Sequence, residues 1–283
     1  MRKSLLVIYF VSMNYQLYPV SPELRPWIRY FWSYDGFGDG RLHIRSFADP
    51  YPRLIFQDTR EYAPVVDQAR GVMPVAYLSG MDTRPTSACW NRQFSHFGVS
   101  FYPHALPVFF GISATELVNE MPALSDVDRR DMTSRLADAR NHRERVTLLS
   151  RYFLERIQTP DAVIQEVFDR NTLALEGLKG IAATHRLSLR QVQRRFKDQV
   201  GVSVRTYLKL QRFEQVLQQL SGARFGDLTR IAFEAGYADQ PHFNREFAEF
   251  SGLTPYQFLR EQTMGSESAS FIYAGDDVVS IQV

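Results

Sequence analysis

Two short stretches near the C-terminus place Arg, Gln and Asn side chains at helical spacing. They read SLRQVQRRFKDQV from Ser188 and DQPHFNREFAEF from Asp239. An Arg side chain can donate two parallel hydrogen bonds to guanine, and Gln or Asn can bond adenine in the same bidentate way. Side chains of these types on one face of a helix suit the reading of base edges in a DNA groove. The chemistry that they could perform is recognition rather than catalysis.

The apolar residues of each stretch indicate which face is buried. Val192 and Phe196 lie four residues apart, as do Phe243 and Phe247, and this spacing predicts the inner face of a helix. The outer faces hold the candidates for base contact, which are Arg190, Gln193, Arg194, Gln240, Asn244 and Arg245. The candidates for phosphate contact, or for a role left open, are Lys197, Ser188 and His242.

These stretches belong to an internal repeat. IAATHRLSLRQVQRRFKDQVGVS begins at Ile181, and IAFEAGYADQPHFNREFAEFSGLT begins at Ile231. A capping residue, an apolar pair, an Arg within that pair and a helix-ending Gly recur in both copies. Each copy predicts a short apolar helix, a tight turn and a capped second helix, which is a helix-turn-helix unit. The second helices are predicted near residues 188–199 and 239–249.

A single helix is predicted between the two units. SVRTYLKLQRFEQVLQQL, residues 203–220, begins at a Ser that can cap it and contains neither Gly nor Pro. Its apolar stripe consists of Tyr207, Leu210, Phe213, Leu217 and Leu220. A rigid connector of this kind would hold two recognition helices at about one helical repeat of DNA, roughly 34 Å.

The N-terminal part has a different texture. Residues 13–115 are rich in aromatic residues, Pro and Gly, and short alternating runs such as FGVSF predict strands separated by turns. They favour an antiparallel sandwich or barrel. From Asp126 the pattern becomes helical, and everything after Leu173 is predicted to be helical. The predicted regions are a sensor domain at 13–125, a helical linker at 126–160, a DNA-binding domain at 172–262 and a tail at 263–283.

Charge and cysteine content agree with this division. Residues 178–262 hold 13 basic and 8 acidic residues, whereas residues 1–177 hold 20 of each. A basic segment beside a neutral one is typical of a nucleic-acid-binding module joined to another kind of domain. The single cysteine, Cys89, cannot form an internal disulfide, and this favours a reducing compartment such as the cytoplasm. Cys89 is expected to be a buried, inert thiol. No apolar run reaches the roughly 18 residues of a membrane span.

The residues from about Leu173 to Arg260 resemble the DNA-binding domain of the AraC type of bacterial transcription regulators. The run IAFEAGYADQPHFNREFAEFSGLTPYQFLR carries the family's second-unit signature almost throughout. LYPVSPELRPWIRYFW, RLIFQ and GVSFYPHALPVFFG resemble the sensor domain of one branch of this family, a cupin-like barrel. The first unit departs from the family pattern at Arg186, where Gly is usual, so its turn is expected to be strained or to use another geometry. Pro241 lies in the first turn of the second recognition helix, where it is tolerated.

The resemblance implies an α+β protein with an N-terminal antiparallel cupin-like β-barrel, a helical linker and an all-α C-terminal domain. It implies a regulator, more often an activator than a repressor, with double-stranded DNA and RNA polymerase as partners. A small-molecule effector at the barrel is expected, although no residue identifies it. The helical stripe Val146, Leu149, Phe153 and Ile157 predicts a seam for a homodimer, although packing on its own barrel would give the same pattern.

Enzymatic readings find little support. Cupin-like barrels can hold a metal, but His43, His96 and His104 lack the close His-x-His pair of such sites. YDGFGDG lacks the Gly-Lys-Ser/Thr ending of a phosphate-binding loop. The sequence therefore favours a protein that is not an enzyme and has no cofactor or metal. The alternative is a cupin-like binding domain or metalloenzyme whose helical repeat serves only for assembly.

The first twelve residues are expected to be dispensable. MRKSLLVIYFVSMNY faintly resembles a secretion signal, but its apolar run is short and no small-residue cleavage site follows. An edge strand, or a translation start upstream of the true start at Met13, is favoured instead. We expect a chain that begins at Met13 to fold and bind DNA like the full chain.

Overall fold

A computed structural model describes residues 12–159, 161–168, 170–220, 227–261, 264–265 and 271–273. The N-terminal strands are β1 Ser12–Tyr18, β2 Ile28–Phe37, β3 Arg41–Ser46, β4 Arg53–Gln57, β5 Val66–Asp67, β6 Gly71–Val72, β7 Ala76–Ser79, β8 Thr86–Asn91 and β9 Phe94–Phe101. The run LLVIYFV and the rest of residues 1–11 lie outside the described residues, so the expectation about them stays a prediction. Met13 belongs to β1 and pairs with Gly36 of β2.

The strands form two antiparallel sheets. The front sheet has the order β1-β2-β9-β4-β7. The back sheet begins with β10 Met264–Gly265 and β11 Phe271–Tyr273 and continues β3-β8-β5-β6. Among the described residues no ladder joins the two sheets edge to edge, so the predicted barrel is not closed and the cupin-like resemblance is not confirmed. The coarser prediction of an antiparallel sheet domain followed by a helical domain is confirmed.

The C-terminal tail corrects the expectation that everything after Leu173 is helical. Phe271 pairs with Ser46 and Tyr273 pairs with Ile44, so β11 extends the back sheet along the free edge of β3. The unpaired N–H and C=O groups of an edge strand can accept another strand in this way.

The helices follow β9. They are α1 Ala105–Phe110, a 3₁₀ turn Ala114–Leu117, α2 Leu124–Val127, α3 Met132–Asp138, α4 His142–Leu154, α5 Ala162–Phe168, α6 Arg170–Thr184, α7 Leu189–Val200, α8 Val204–Leu220, α9 Leu228–Glu234, α10 Gln240–Ser251 and α11 Pro255–Glu261. The non-helical backbone of Gly177 breaks α6, so residues 178–184 form a short helix of their own. No helix in the described ranges is long and apolar enough to cross a membrane.

The predicted dimer seam on α4 is buried inside its own domain. Leu149 and Phe153 are fully buried, and the Phe153 ring lies 5.4 Å from that of Phe101 and 4.6 Å from that of Phe109. Ile157 lies beyond the end of α4. An amphipathic pattern says that a face is covered but not what covers it, and here the front sheet and α1 do so. A homodimer therefore stays a prediction without an assigned surface.

The C-terminal helices share one apolar core with a small part of the N-terminal domain. The connector residues Tyr207, Leu210, Phe213, Leu217 and Leu220 are all buried, as predicted. Val163, Ile164 and Val167 of α5 also belong to this core, upstream of the predicted boundary at residue 172. Phe47, Ala48 and Met81 reach it from the back of the sheet domain, so the two domains are in direct contact.

Candidate nucleic-acid interface

The two helix-turn-helix units have the same backbone hydrogen bonds at their turns. In the first unit, His185 N–H donates to Ile181 O (3.1 Å) and Leu187 N–H donates to Ala182 O (2.8 Å). In the second unit the equivalent bonds join Ala235 to Ile231 (2.9 Å) and Tyr237 to Ala232 (3.0 Å). These are the bonds that satisfy the last carbonyl groups of a helix when the chain turns away from it. The repeat seen in the sequence is therefore a repeat of backbone structure.

Arg186 takes up the strained geometry that the sequence suggested. Its φ of 53° is left-handed, and the equivalent residue of the second unit, Gly236, has φ of 75°. Glycine adopts this region freely, whereas a residue with a Cβ atom is disfavoured there by about 1–2 kcal/mol. The turn keeps its shape although the residue that suits it best is missing.

Both second helices begin at a side-chain cap and end at a left-handed glycine. The Ser188 hydroxyl accepts from the Gln191 N–H (3.3 Å), and the Gln191 side chain accepts from the Ser188 N–H (2.7 Å). Asp239 accepts from the His242 N–H (2.7 Å) at the start of α10. The Ser188 hydroxyl also donates to Gln191 Oε1 (2.9 Å), so both of its hydrogen-bonding roles are used within the cap. Phosphate contact by Ser188 would be a second role.

The faces assigned from the sequence agree with the burial of the two helices. Val192, Phe196, Phe243 and Phe247 are fully buried. The predicted contact residues that are exposed are Arg190, Gln193, Arg194, Lys197, Gln240 and Arg245, and Asn244 is half-buried. His242 is half-buried against the Tyr237 ring (5.3 Å), with Nε2 3.8 Å from Glu246 Oε2. The structure thus places the predicted outer face of each helix towards solvent.

A groove that the sequence did not suggest lies between the two second helices. It has a volume of about 360 Å³ and runs over the connector from Gln193 on α7 to His242 on α10. Arg205, Leu208 and Lys209 of α8 line it. The sequence could have indicated this groove, because Arg205 and Lys209 are four residues apart on the polar side of the connector. Residues with that spacing lie on the same face of a helix.

Glu246 forms the acidic side of this groove. Its side chain is 2% exposed, and its carboxylate lies 3.2 Å from Lys209 Nζ and 3.8 Å from Arg212 Nε. The Arg212 guanidinium also lies over the Tyr237 ring, 4.9 Å from its centroid. Burial, with a further contribution from the Glu246 charge, raises the pKa of the Tyr237 hydroxyl. These contacts join α10 to the connector.

The contacts between the units and the sheet domain include one at the end of each second helix. Ala48 N–H donates to Phe250 O of α10 (2.9 Å), beside the Phe47 ring, which lies 6.1 Å from Phe213 and 6.0 Å from Phe258. At the end of α7, a Cβ atom on Gly201 would lie 2.7 Å from Ala114 O. The exposed face of α7 and the N-terminal end of α10 are not part of these contacts.

The histidines considered as metal ligands are not gathered into a site. His43 is exposed on β3, while His96 is buried on β9, where burial lowers its pKa to about 4. His104 lies beside Phe168, and burial lowers its pKa also to about 4. Across the ranges that the structure describes, no group of His, Cys, Asp and Glu is arranged to hold a metal. Cys89 on β8 is half-buried rather than fully buried.

Comparison with known proteins agrees with the repeat. Residues 181–261 match the family model described as a helix-turn-helix domain, and residues 16–122 match a domain of unknown function, DUF6597. A segment of 68 residues is 34% identical to the uncharacterized transcriptional regulatory protein YesN of Bacillus subtilis (strain 168), covering 24% of this chain and 18% of YesN.

Solved structures with some likeness include two bacterial proteins. ToxT from Vibrio cholerae O395 is 10% identical, with 88% of this chain and 97% of ToxT covered and a TM-score of 0.39. The C-terminal domain of AraT, a response regulator from Geobacillus stearothermophilus, is 19% identical, with 38% and 93% covered and a TM-score of 0.31. The family match and the segment shared with YesN carry the assignment. Residues 181–261 are therefore assigned to a helix-turn-helix domain, and 68 residues of the chain are similar to part of a transcriptional regulatory protein.

Proposed function

We propose that this protein binds double-stranded DNA with sequence selectivity and regulates transcription from the sites it binds. The observation that carries the proposal is the pair of capped helices, α7 and α10, whose polar faces are exposed while the apolar stripe of the connector that joins them is buried. At about 1.5 Å per residue, the 17 residues of α8 span about 26 Å. A helix that packs into the domain core through one face can hold α7 and α10 at a fixed separation for two successive major-groove segments.

The side chains divide into base and phosphate contacts. Arg190, Gln193 and Arg194 on α7 suit guanine and adenine edges, and Gln240 and Asn244 do so on α10. Arg245 of α10 is of a type that can bond guanine, but we expect it to contribute mainly through phosphate. Lys197 meets phosphate at the edge of the first segment. Arg205, which lines the groove between the helices, meets the backbone between the two segments. Phosphate contacts position the protein, and the base contacts select the site.

The sheet domain supplies control. Its contacts at Ala48 and Ala114 touch one unit each, so a change of conformation there would alter the relative position of α7 and α10. Activation through contact with RNA polymerase is the mode that the AraC type favours, and the protein acts in the cytoplasm. YesN is named a transcriptional regulatory protein, which agrees with this role.

Selection of bound fragments from genomic DNA by the full chain tests the proposal. We expect enrichment of one motif, with two protected segments about 10 base pairs apart on one face of the duplex. Replacing Arg190, Gln193 and Arg194 together by Ala should abolish the enrichment.

The matched control is Arg195→Ala. Arg195 lies on the same helix and carries the same charge, but it points towards Asp161 (3.7 Å). Its replacement should leave the selected motif unchanged. If the full chain binds all fragments alike at every salt concentration, the proposal fails.

A further inference from the structure

A cavity lies between the two sheets of the N-terminal domain. Its volume is about 70 Å³, and its walls include Trp32, Tyr77 and His96 from the front sheet and Trp90 from the back sheet. An apolar cavity of about 150 Å³ holds benzene, which has six heavy atoms, so this one has room for about three heavy atoms. It is distinct from the groove between the recognition helices.

The polar groups of the cavity are unevenly satisfied. Asp49 forms an ion pair with Arg53 and accepts from the Tyr51 N–H (2.9 Å). Asp67 accepts from the N–H groups of Ala69 (2.9 Å) and Arg70 (2.8 Å), and Arg70 Nη1 lies 3.5 Å away. These two carboxylates therefore have partners within the protein.

Asp82, the third carboxylate of the cavity, does not have such partners. Asp82 is only 8% exposed to solvent. Its Oδ2 accepts one long hydrogen bond from the Ser79 hydroxyl (3.4 Å), and its Oδ1 has no partner among the described residues. Burial, and then the neighbouring Asp49 carboxylate, raise the pKa of Asp82 to about 7. An unpaired polar atom this deeply buried is costly, and a ligand that pairs with it would remove this cost.

The charges around the cavity indicate which kind of ligand would suit it. Asp49, Asp67 and Asp82 face the guanidinium groups of Arg53 and Arg70, so an ionised Asp82 leaves one negative charge without a counterpart. His96 cannot supply a positive charge near neutral pH, because burial lowers its pKa to about 4. A cation that enters the cavity would complete the balance, whereas an anion would add to the excess.

The aromatic walls suit the same ligand. Trp32 and Trp90 line the cavity together with Tyr77 and Phe47. The faces of aromatic rings attract cations, and cages of such rings beside a carboxylate are used to bind organic ammonium groups. An ammonium with a short apolar chain would meet both the carboxylate and the rings.

We propose that this cavity binds a small organic ammonium ion, held by the Asp82 carboxylate and by the rings of Trp32 and Trp90 that line it. The inference extends the proposed function by naming a ligand class for the sheet domain. Binding of the ion needs no DNA, so it can be measured and can fail independently of DNA recognition.

The site is connected to the helical domain through the backbone. Asp82 N–H donates to Asp49 O (3.0 Å), and Asp49 N–H donates to Asp82 O (2.8 Å). The residue before Asp49 is Ala48, whose N–H donates to Phe250 O of α10. Asp82 is therefore hydrogen-bonded to Asp49, and Asp49 is next in sequence to Ala48, which contacts the second unit.

Calorimetric titration of the full chain tests the inference. The probes are ethylammonium, ethanol and acetate, which have nearly the same size but differ in charge. We expect ethylammonium to bind at least about 30-fold more tightly than the other two, as expected when a buried charge pair loses one partner. Asp82→Asn should lose the same factor.

Two controls separate binding from folding. Asp82→Asn keeps the size and one hydrogen-bonding oxygen, so its melting temperature should not fall. Asp67→Asn changes a carboxylate of the same cavity that already has partners, and it should weaken ethylammonium binding less than Asp82→Asn does. Equal binding of the three probes, tighter binding of acetate, absence of binding, or unchanged affinity in Asp82→Asn would each overturn the proposal.

Discussion

The two helix-turn-helix units share a backbone but differ in how they are held. Their turns have the same hydrogen bonds, and both second helices are 12 residues long with a side-chain cap and a terminal glycine. At one equivalent position the first unit has Arg195, with a side chain 45% exposed, and the second has Glu246, which is 2% exposed. The architecture of the unit is set by the backbone and the caps, which leaves such positions free to diverge.

This difference changes how each recognition helix is attached to the connector. α7 packs through Val192 and Phe196 and uses its exposed Arg195 only for a pair with Asp161 (3.7 Å). α10 adds a buried carboxylate that faces Lys209 and Arg212 of α8. A buried charge is costly unless it is paired, so the position of α10 depends on these two cations, whereas the position of α7 does not.

The largest expected effect follows from removing those cations. Replacing Lys209 and Arg212 together by Met should lower the free energy of unfolding by about 3–5 kcal/mol, because the Glu246 carboxylate then stays buried with no full positive charge near it. Urea unfolding measures the change. Adding Glu246→Gln to the double variant should restore most of the loss.

The equivalent change in the first unit is the matched comparison. Arg195→Met should alter the free energy of unfolding by less than about 0.5 kcal/mol, because the pair that it breaks is exposed. Similar losses of unfolding free energy in both units would show that α7 and α10 are attached to α8 in the same way.

The next effect concerns DNA. Arg194→Ala should cost about 1–3 kcal/mol of binding on the selected site and relax the preference at one or two base pairs. Arg245→Ala should weaken binding evenly across sequences and lower the salt slope by about one unit, as the loss of a phosphate contact would. We expect this division because α7 presents Arg190, Gln193 and Arg194 together, while α10 begins beside Pro241.

Binding isotherms at several salt concentrations on matched and mismatched sites distinguish these outcomes. Arg230→Ala is the charge-matched control, because Arg230 is an exposed residue of α9 that pairs with Asp227 (3.2 Å) and Glu234 (2.9 Å). Equal loss of selectivity in Arg194→Ala and Arg245→Ala would refute the division of labour between the units.

The parts of the fold that the sequence predicts well are those specified by neighbouring residues. Caps, turn residues and apolar positions four apart lie within one helix or turn, so the repeat, the connector and the outer faces of α7 and α10 could be read directly. Even the strained turn at Arg186 was visible, because a residue with a side chain stands where glycine is usual.

The parts that it predicts poorly depend on contacts between distant segments. The stripe on α4 required a cover, and only the folded domain shows that Phe101 and Phe109 provide it. Glu246 lies beside a core residue of α10, but its partners are on α8. The cavity at Asp82 is formed by loops and strands from both sheets, so no local sequence pattern predicts it.

The caps allow a smaller test of the comparison. Ser188→Asp gives the first unit the type of cap that Asp239 gives the second, and Asp and Ser cap helices about equally well. The melting temperature should therefore change little. If Ser188 also lies near a phosphate, the added charge should weaken DNA binding, and the loss should shrink as salt is added.

Ser188→Ala separates the two roles. It removes the cap without adding charge and should cost about 1 kcal/mol of stability. The salt dependence of DNA binding should then stay that of the unmodified protein. A loss of affinity in Ser188→Asp that does not depend on salt would place Ser188 away from the phosphates and leave it the role of a cap alone.

The smallest effect tests whether the two turns really are equivalent. Arg186→Gly should raise the free energy of unfolding by about 0.5–1 kcal/mol, because the relief of the left-handed strain exceeds the extra freedom that glycine gives to the unfolded chain. Gly236→Ala makes the reverse change in the second unit and should lower it by about 1 kcal/mol. A Cβ atom at residue 236 would meet nothing within 4 Å, so this loss would come from the backbone alone. Neither variant changes a predicted DNA contact, so both should select the same motif. If Arg186→Gly instead destabilises the protein, the Arg186 side chain contributes an interaction that outweighs the strain, and the two turns share a shape without sharing its energetic basis.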